Sequence, residues 1–237
     1  MRGTEAILFD AAGTLFDLEP DLATRLAAAV HGLVADPDAA VRGALSRVND
    51  RGGWPEDQPD ARRRLAAWTE FVRSILDDTG AGAFDARKSA AAIAADIIDP
   101  RSYQLFPETL GVLDLLFQAG VPCAIVSNFD DLLLEILDHL DIRRYFAAVV
   151  HSAKVGVYKP DARIFARAIS LLGVDVGRAV MVGDSPYSDI DGARSFGLRA
   201  VLIDRKDQRP GHEGEVVTSL GDLPSLLFGA SARGRPT

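Results

Sequence analysis

The sequence predicts an α/β fold: a parallel sheet with crossover helices, carrying a helical insertion after its first strand. Three observations support it. Short apolar runs alternate with amphipathic stretches, as buried strands and their covering helices do. A long stretch from about residue 18 to 104 has helical periodicity and no strand-like run. Four of the strands are followed by loops that carry reactive or phosphate-friendly residues, as in open parallel sheets whose carboxyl ends share one crevice.

Taken in order, the strand candidates are Ala6–Phe9, Cys123–Val126, Ala147–Val150, Val180–Val182 and Ala200–Ile203, with "EVVT" at 215–218 as a late edge strand. Helices are expected near 108–119, 130–140, 161–172 and 189–196. In the insertion, Ala-rich segments near 20–34, 37–48, 59–78 and 85–97 read as helices, broken by "DRGGWPEDQP" and "GAGAFD". The expected domains are a catalytic core of residues 1–17 and 105–228, a helical domain of 18–104, and a loose tail at 229–237 that lacks apolar periodicity.

The chain has 237 residues, 48% of them hydrophobic and 25% charged, which places it in the ordinary globular class rather than the disordered one. A net charge of −8 argues against nucleic-acid and anionic-membrane partners. No apolar run reaches the roughly 18 residues of a membrane span. No signal peptide is visible, because Arg2 and Glu5 lead directly into strand-like sequence, and a cytoplasmic location is expected. Cys123 is the sole cysteine, so no internal disulfide can form. Oligomeric state is not readable.

The loop residues suit phosphoryl transfer. Asp10 follows the first strand, Ser127-Asn128 the second, Lys159 the third and Gly183-Asp184, with Asp189, the fourth. Singly, each has a plainer reading as a helix cap or turn residue. Together, on one sheet edge, they form a site: Asp10 would attack phosphorus and water would hydrolyse the aspartyl-phosphate. Asp10, Asp184 and a backbone carbonyl suit Mg²⁺, a hard cation with oxygen ligands. Ser127 and the amides near Ala11, Gly13 and Asn128, with Thr14 in the same turn, would hold phosphoryl oxygens, and Lys159 would add fixed positive charge. Asp189 is expected to hold Lys159 or a metal-bound water.

The segments "FDAAGTLFD", "VSNFD", "VYKPDARIF" and "VGDSPYSDIDGARSFGL" resemble the four ordered motifs of the haloacid dehalogenase (HAD) superfamily. The resemblance covers about 1–17 and 105–205. It implies a Rossmann-like core, an inserted helical cap closing over the active site, and Mg²⁺-dependent hydrolysis of a small phosphorylated metabolite. "SNFDDLL" and "AAWTEFVRSIL" also resemble a subgroup of HAD-like hydrolases whose substrates are mostly unassigned.

One position departs from the pattern. Typical HAD phosphatases carry an Asp two residues after the nucleophile, which protonates the leaving group and later activates water; here it is Ala12. The Ala12 carbonyl can still bind metal, but general acid–base help of roughly 10²–10⁴ in rate is forfeited there. The expectation is a phosphatase favouring good leaving groups or borrowing another acid. Alternatives are 2-haloacid dehalogenase-like chemistry, phosphonoacetaldehyde hydrolase-like chemistry, and a non-catalytic ligand-binding protein. An acidic residue at 184 would be wasted in a metal-free dehalogenase. The phosphonoacetaldehyde route needs a cap lysine, and Lys88 does not match the family position.

Other residues have weaker claims. Lys154 rivals Lys159, but the Lys-Pro-Asp context favours Lys159. Asp17 is the preferred substitute acid, ahead of His151 and His31. Trp54 and Trp68 could line a pocket or fill a helical core. Cys123 reads as a small buried hydrophobe.

Overall fold

The computed structural model describes residues 3–51, 55, 58, 60–81, 83–207, 209 and 211–229, without the side chains of 49–51 and 83–87. The chain forms two compact units, one of the described residues through Asp17 and from Leu105 onward, the other Leu18–Gln104. Trp54 and the tail beyond Gly229 lie outside the described residues.

The first unit is built on six strands: β1 (Ala6–Phe9), β4 (Cys123–Ser127), β5 (Phe146–His151), β6 (Ala179–Gly183), β7 (Arg199–Ile203) and β8 (Glu215–Val217). Their order is β5-β4-β1-β6-β7-β8, and every neighbouring pair is parallel. The central strands β1, β4 and β6 are buried along their whole length. Helices cover both faces of such a sheet, so its strands read as unbroken apolar runs rather than alternating ones. The chain runs outward from β1 to β4 and β5, then returns to β6 on the other flank of β1. That reversal places the topological switch beside β1, where ligands bind in open α/β sheets.

Helix α5 (Thr109–Gln118) leads into β4, α6 (Leu132–His139) follows β4, and α8 (Ala162–Leu172) comes after β5. In α8, Ile164, Phe165, Ala168 and Ile169 fall on one stripe and are buried against a core that includes Leu8, Val126, Met181 and Leu202. Asp161 caps its start by accepting from the Arg163 amide at 2.9 Å, and Gly173 ends it in the left-handed conformation. Truncating Phe165 to Ala would cost about 3–5 kcal/mol.

Between β6 and β7 the expected helix 189–196 is instead a π-helical turn, Pro186–Asp191, followed by the short helix α9 (Gly192–Phe196). Ser185 caps that turn by accepting from the Ser188 amide at 3.2 Å. Pro186 and the polar run after it lack the apolar periodicity that marks an α-helix. This unit also contains two further short helices, α7 (Ser152–Val155) and α10 (Leu223–Phe228).

The second unit contains α1 (Leu22–Ala29), α2 (Pro37–Arg51), α3 (Ala61–Asp78) and α4 (Ala83–Ile97). Asp60 caps α3 through the Arg63 amide at 2.9 Å, and Phe71, Val72, Ile75 and Leu76 form its buried stripe. Trp68 meets Phe71 edge to face at 5.4 Å, within this helical core. Helix α1 is shorter than the periodicity of 20–34 predicts, ending in a turn at Val30–Gly32, where Gly32 has positive φ. The chain also passes through two three-residue strands that the sequence did not reveal, β2 (Phe16–Leu18) and β3 (Tyr103–Leu105), which pair with each other. No described helix is long and apolar enough to cross a membrane.

Candidate active site

The parallel register sets the site. Phe9 lies opposite Ile125 on one side and Val182 on the other. Asp10 extends the ladder by one bond, its amide donating to the Val182 carbonyl at 2.8 Å. Its carboxylate therefore emerges at the carboxyl edge between the ends of β4 and β6.

There the Asp10 carboxylate accepts from Ser127 Oγ at 3.0 Å and from Lys159 Nζ at 2.5 Å, both to Oδ1. Lys159 Nζ also donates to Asp189 Oδ1 at 2.6 Å, while the Ser185 amide donates to Asp189 Oδ2 at 3.0 Å. Asp10, Ser127, Lys159 and Asp189 are all buried. Carboxylate oxygens of Asp10, Asp184 and Asp189 come within 4.8 Å of one another. Side chains from near the start of the chain and from its last third thus meet at one point.

Two glycines make this crowding possible. A Cβ at Gly13 would stand 2.7 Å from Asp184 Oδ2, and Gly13 also has a φ of +80°. A Cβ at Gly183 would stand 2.3 Å from Asp189 Oδ2. Any side chain at either place would push a carboxylate out of the cluster.

Three carboxylates against one ammonium leave a formal excess of two negative charges. Burial, then the charges of Asp10 and Asp189, push the Asp184 carboxyl up to about 8. Burial likewise raises Asp189, to about 6, with Asp10 adding to the rise and Lys159 opposing it. For Lys159 burial works to lower the ammonium, and the attraction of Asp10 and Asp189 outweighs it, so the side chain stays charged. A compact all-oxygen donor set with surplus negative charge fits a hard divalent cation.

The other expected site residues fall out differently. Asn128 is exposed, but its side chain grips Lys159 at both ends of one residue: Oδ1 accepts from the Lys159 amide at 2.6 Å and Nδ2 donates to the Lys159 carbonyl at 3.1 Å. The Gly13 amide, expected to face a phosphoryl oxygen, instead donates to the Phe16 carbonyl at 2.8 Å, because the turn closes on itself. The Ala11 carbonyl accepts from the amides of Thr14, Leu15 and Phe16, and none of these turn bonds uses the Ala12 carbonyl. Thr14 is fully buried, and its hydroxyl lacks a hydrogen-bond partner among the described residues.

Lys154 is exposed on α7, whereas Lys159 is buried. His151 is buried at the end of β5 with Nδ1 3.3 Å from the Phe129 carbonyl. Asp17 lies half-buried on β2, His31 is exposed, and Lys88 is placed on α4. Burial pushes the Cys123 thiol up to about 12, which leaves it inert. Two residues that sequence reasoning passed over touch this edge. Arg205 donates to the carbonyls of Gly13 and Thr14, and Arg209 Nη1 donates to the Asp184 carbonyl at 2.8 Å.

A parallel sheet with an acid, a hydroxyl, a lysine and two further acids on its carboxyl edge defines a hydrolase of the HAD type. Residues 4–197 match the haloacid dehalogenase-like hydrolase family, and the chain belongs to it. Among its relatives is a phosphoserine phosphatase of Thermus thermophilus, 33% identical over 181 residues that span 74% of this chain and 72% of that one. The crystal structure of a HAD phosphatase from Thermococcus onnurineus superposes with a TM-score of 0.66 at 26% identity, covering 95% of this chain and 99% of the other. A dehalogenase solved with an intermediate complex shares the fold, with a TM-score of 0.72 at 22% identity over 96% and 98% of the two chains.

Proposed function

We propose that this hydrolase is a Mg²⁺-dependent phosphatase of a small phosphorylated metabolite, working in a cytoplasmic setting, with Asp10 as nucleophile. The observation that carries the reading is the carboxylate of Asp10, held by Ser127 and Lys159 within 4.8 Å of two further carboxylates. Asp10, Asp184 and the Ala12 carbonyl would hold the cation, which would supply positive charge against the repulsion between an anionic nucleophile and an anionic phosphate.

The chain's own residues account for the rest. Lys159 and Ser127 both bind Asp10 Oδ1, which leaves Oδ2 to attack phosphorus. Attack forms the aspartyl-phosphate and breaks the bond to the leaving oxygen. Water then attacks phosphorus, releasing phosphate and restoring the carboxylate. Lys159 stays charged throughout, offsetting charge on the phosphoryl oxygens, and Asp189 keeps its Nζ aimed at the reacting centre. Ala12 provides no proton to the leaving oxygen, so substrates whose leaving groups depart readily, such as acyl and aryl phosphates, are favoured.

Dehalogenation is the second reading, favoured by the same absent acid and by an Asp–Ser–Lys arrangement that could equally serve attack on carbon. The three clustered carboxylates weigh against it, because metal-free attack on carbon would leave them without the cation that offsets their surplus charge.

The test is hydrolysis of para-nitrophenyl phosphate and acetyl phosphate, with Mg²⁺ and with chelator, in the wild type and Asp10→Asn. Metal-dependent turnover abolished by Asp10→Asn is expected. Halide release from a haloacid without metal would select the second reading, and silence on both would point to a non-catalytic binding protein.

A further inference from the structure

We propose that Arg205, in the segment after β7, is a positioning residue that sets the nucleophile turn against Asp184. The inference rests on the reading above only in taking Asp10 as nucleophile and Asp184 as its partner in holding the cation.

Each nitrogen of the Arg205 guanidinium donates a hydrogen bond. Nη2 donates to the Thr14 carbonyl at 2.6 Å and Nε to the Gly13 carbonyl at 3.3 Å. Nη1 donates to Glu108 Oε1 at 2.6 Å, and the same oxygen accepts from the Leu220 amide at 3.2 Å. The guanidinium carbon lies 3.5 Å from the centroid of the Phe106 ring. Arg205 thereby ties the turn after Asp10 to the start of α5 and to the chain beyond β8. A planar fork with five donors suits this task, and a lysine cannot reproduce it.

What the fork fixes is the part of the turn that borders the acid cluster. Gly13 is packed so closely on Asp184 that a single added carbon would stand 2.7 Å from its carboxylate. Movement of the Gly13–Thr14 backbone therefore changes the room available to Asp184. The amides of Thr14 and Leu15 bond back to the Ala11 carbonyl, next to Asp10, so the same movement reaches the nucleophile. Nothing in Arg205 touches the reacting atoms; it acts through the backbone it holds. Reacting groups displaced by about 1 Å can lose about 100-fold in rate.

The experiment compares Arg205→Lys and Glu108→Gln with wild type in the full chain, by amide hydrogen exchange and by turnover of para-nitrophenyl phosphate. Loss of a charge-assisted bond is expected to speed exchange of the Gly13, Thr14 and Leu15 amides by roughly tenfold or more. Amides in β4 and β6 should keep their wild-type protection. In Arg205→Lys, kcat should fall about 100-fold with KM little changed, and Glu108→Gln should shift both readouts the same way by less. Three results would overturn the proposal: unchanged exchange in the turn, protection lost evenly across the sheet, or full kcat despite a loosened turn. A wild type without turnover would defeat the phosphatase reading alone, and exchange in the turn would still decide the role of Arg205.

Discussion

Replacing Asp184 by Asn should make the metal-free protein more stable while removing its response to Mg²⁺. Two unit charges 4.8 Å apart repel by about 3 kcal/mol at an effective dielectric constant of about 20, and Asp184 has two such neighbours, Asp10 and Asp189. Attraction to Lys159 and partial protonation offset part of that sum, so a net gain of about 3 kcal/mol is expected near neutral pH. For a chain of this size it corresponds to a rise in Tm of about 6–12 °C.

The pH dependence follows from the direction of the shifts. Asp184 and Asp189 are raised above the 3.8 of an ordinary aspartate, so the folded state holds protons that the unfolded chain has released. The stability these groups contribute is full below about pH 4. It falls as pH rises, and is lost once pH passes about 6 for Asp189 and about 8 for Asp184. Thermal melts in chelator from pH 5 to 9 should therefore show the advantage of Asp184→Asn growing with pH and shrinking toward pH 5. Saturating Mg²⁺ should raise the wild-type Tm and leave the variant nearly unmoved. A variant that melts at or below wild type at pH 8 in chelator would refute the claim that the cluster carries surplus, mutually repelling charge.

Three further outcomes are expected. Lys159→Met strips the cation that touches both Asp10 and Asp189, and should cost about 3–5 kcal/mol in chelator by urea unfolding, with turnover lost. Gly13→Ala meets both a positive φ and the Asp184 carboxylate, so it should destabilise by about 1 kcal/mol or more and reduce Mg²⁺ affinity, measurable by calorimetry. Ala12→Asp should raise turnover of alkyl phosphates more than of aryl phosphates, by up to about 10²; equal rates would mean that another group already protonates the leaving oxygen.

The core strands were legible because burial on both faces writes them as plain apolar runs, "AILF", "CAIV" and "AVMV". Strands β2 and β3 escaped because three residues, "FDL" and "YQL", carry no periodicity. The expected helix 189–196 meets the π-helical turn only at 189–191, because the polar run from Pro186 hides where the helical path begins. Within the site, Asp10, Ser127, Lys159 and Asp189 could be named because each follows a strand, and parallel topology alone sends those ends to one edge. The grip of the Asn128 side chain on Lys159 is set by a contact 31 residues away, which no local pattern announces. Arg205 sits in "IDRKDQRP", where no local pattern separates a surface arginine from one that holds another loop.

Mass spectrometry of protein acid-quenched during turnover of acetyl phosphate tests the nucleophile directly. The peptide containing Asp10 should gain the mass of one phosphoryl group, and the adduct should vanish in Asp10→Asn. Turnover with an unmodified Asp10 peptide, or with the adduct on another residue, would contradict the role of Asp10 as nucleophile.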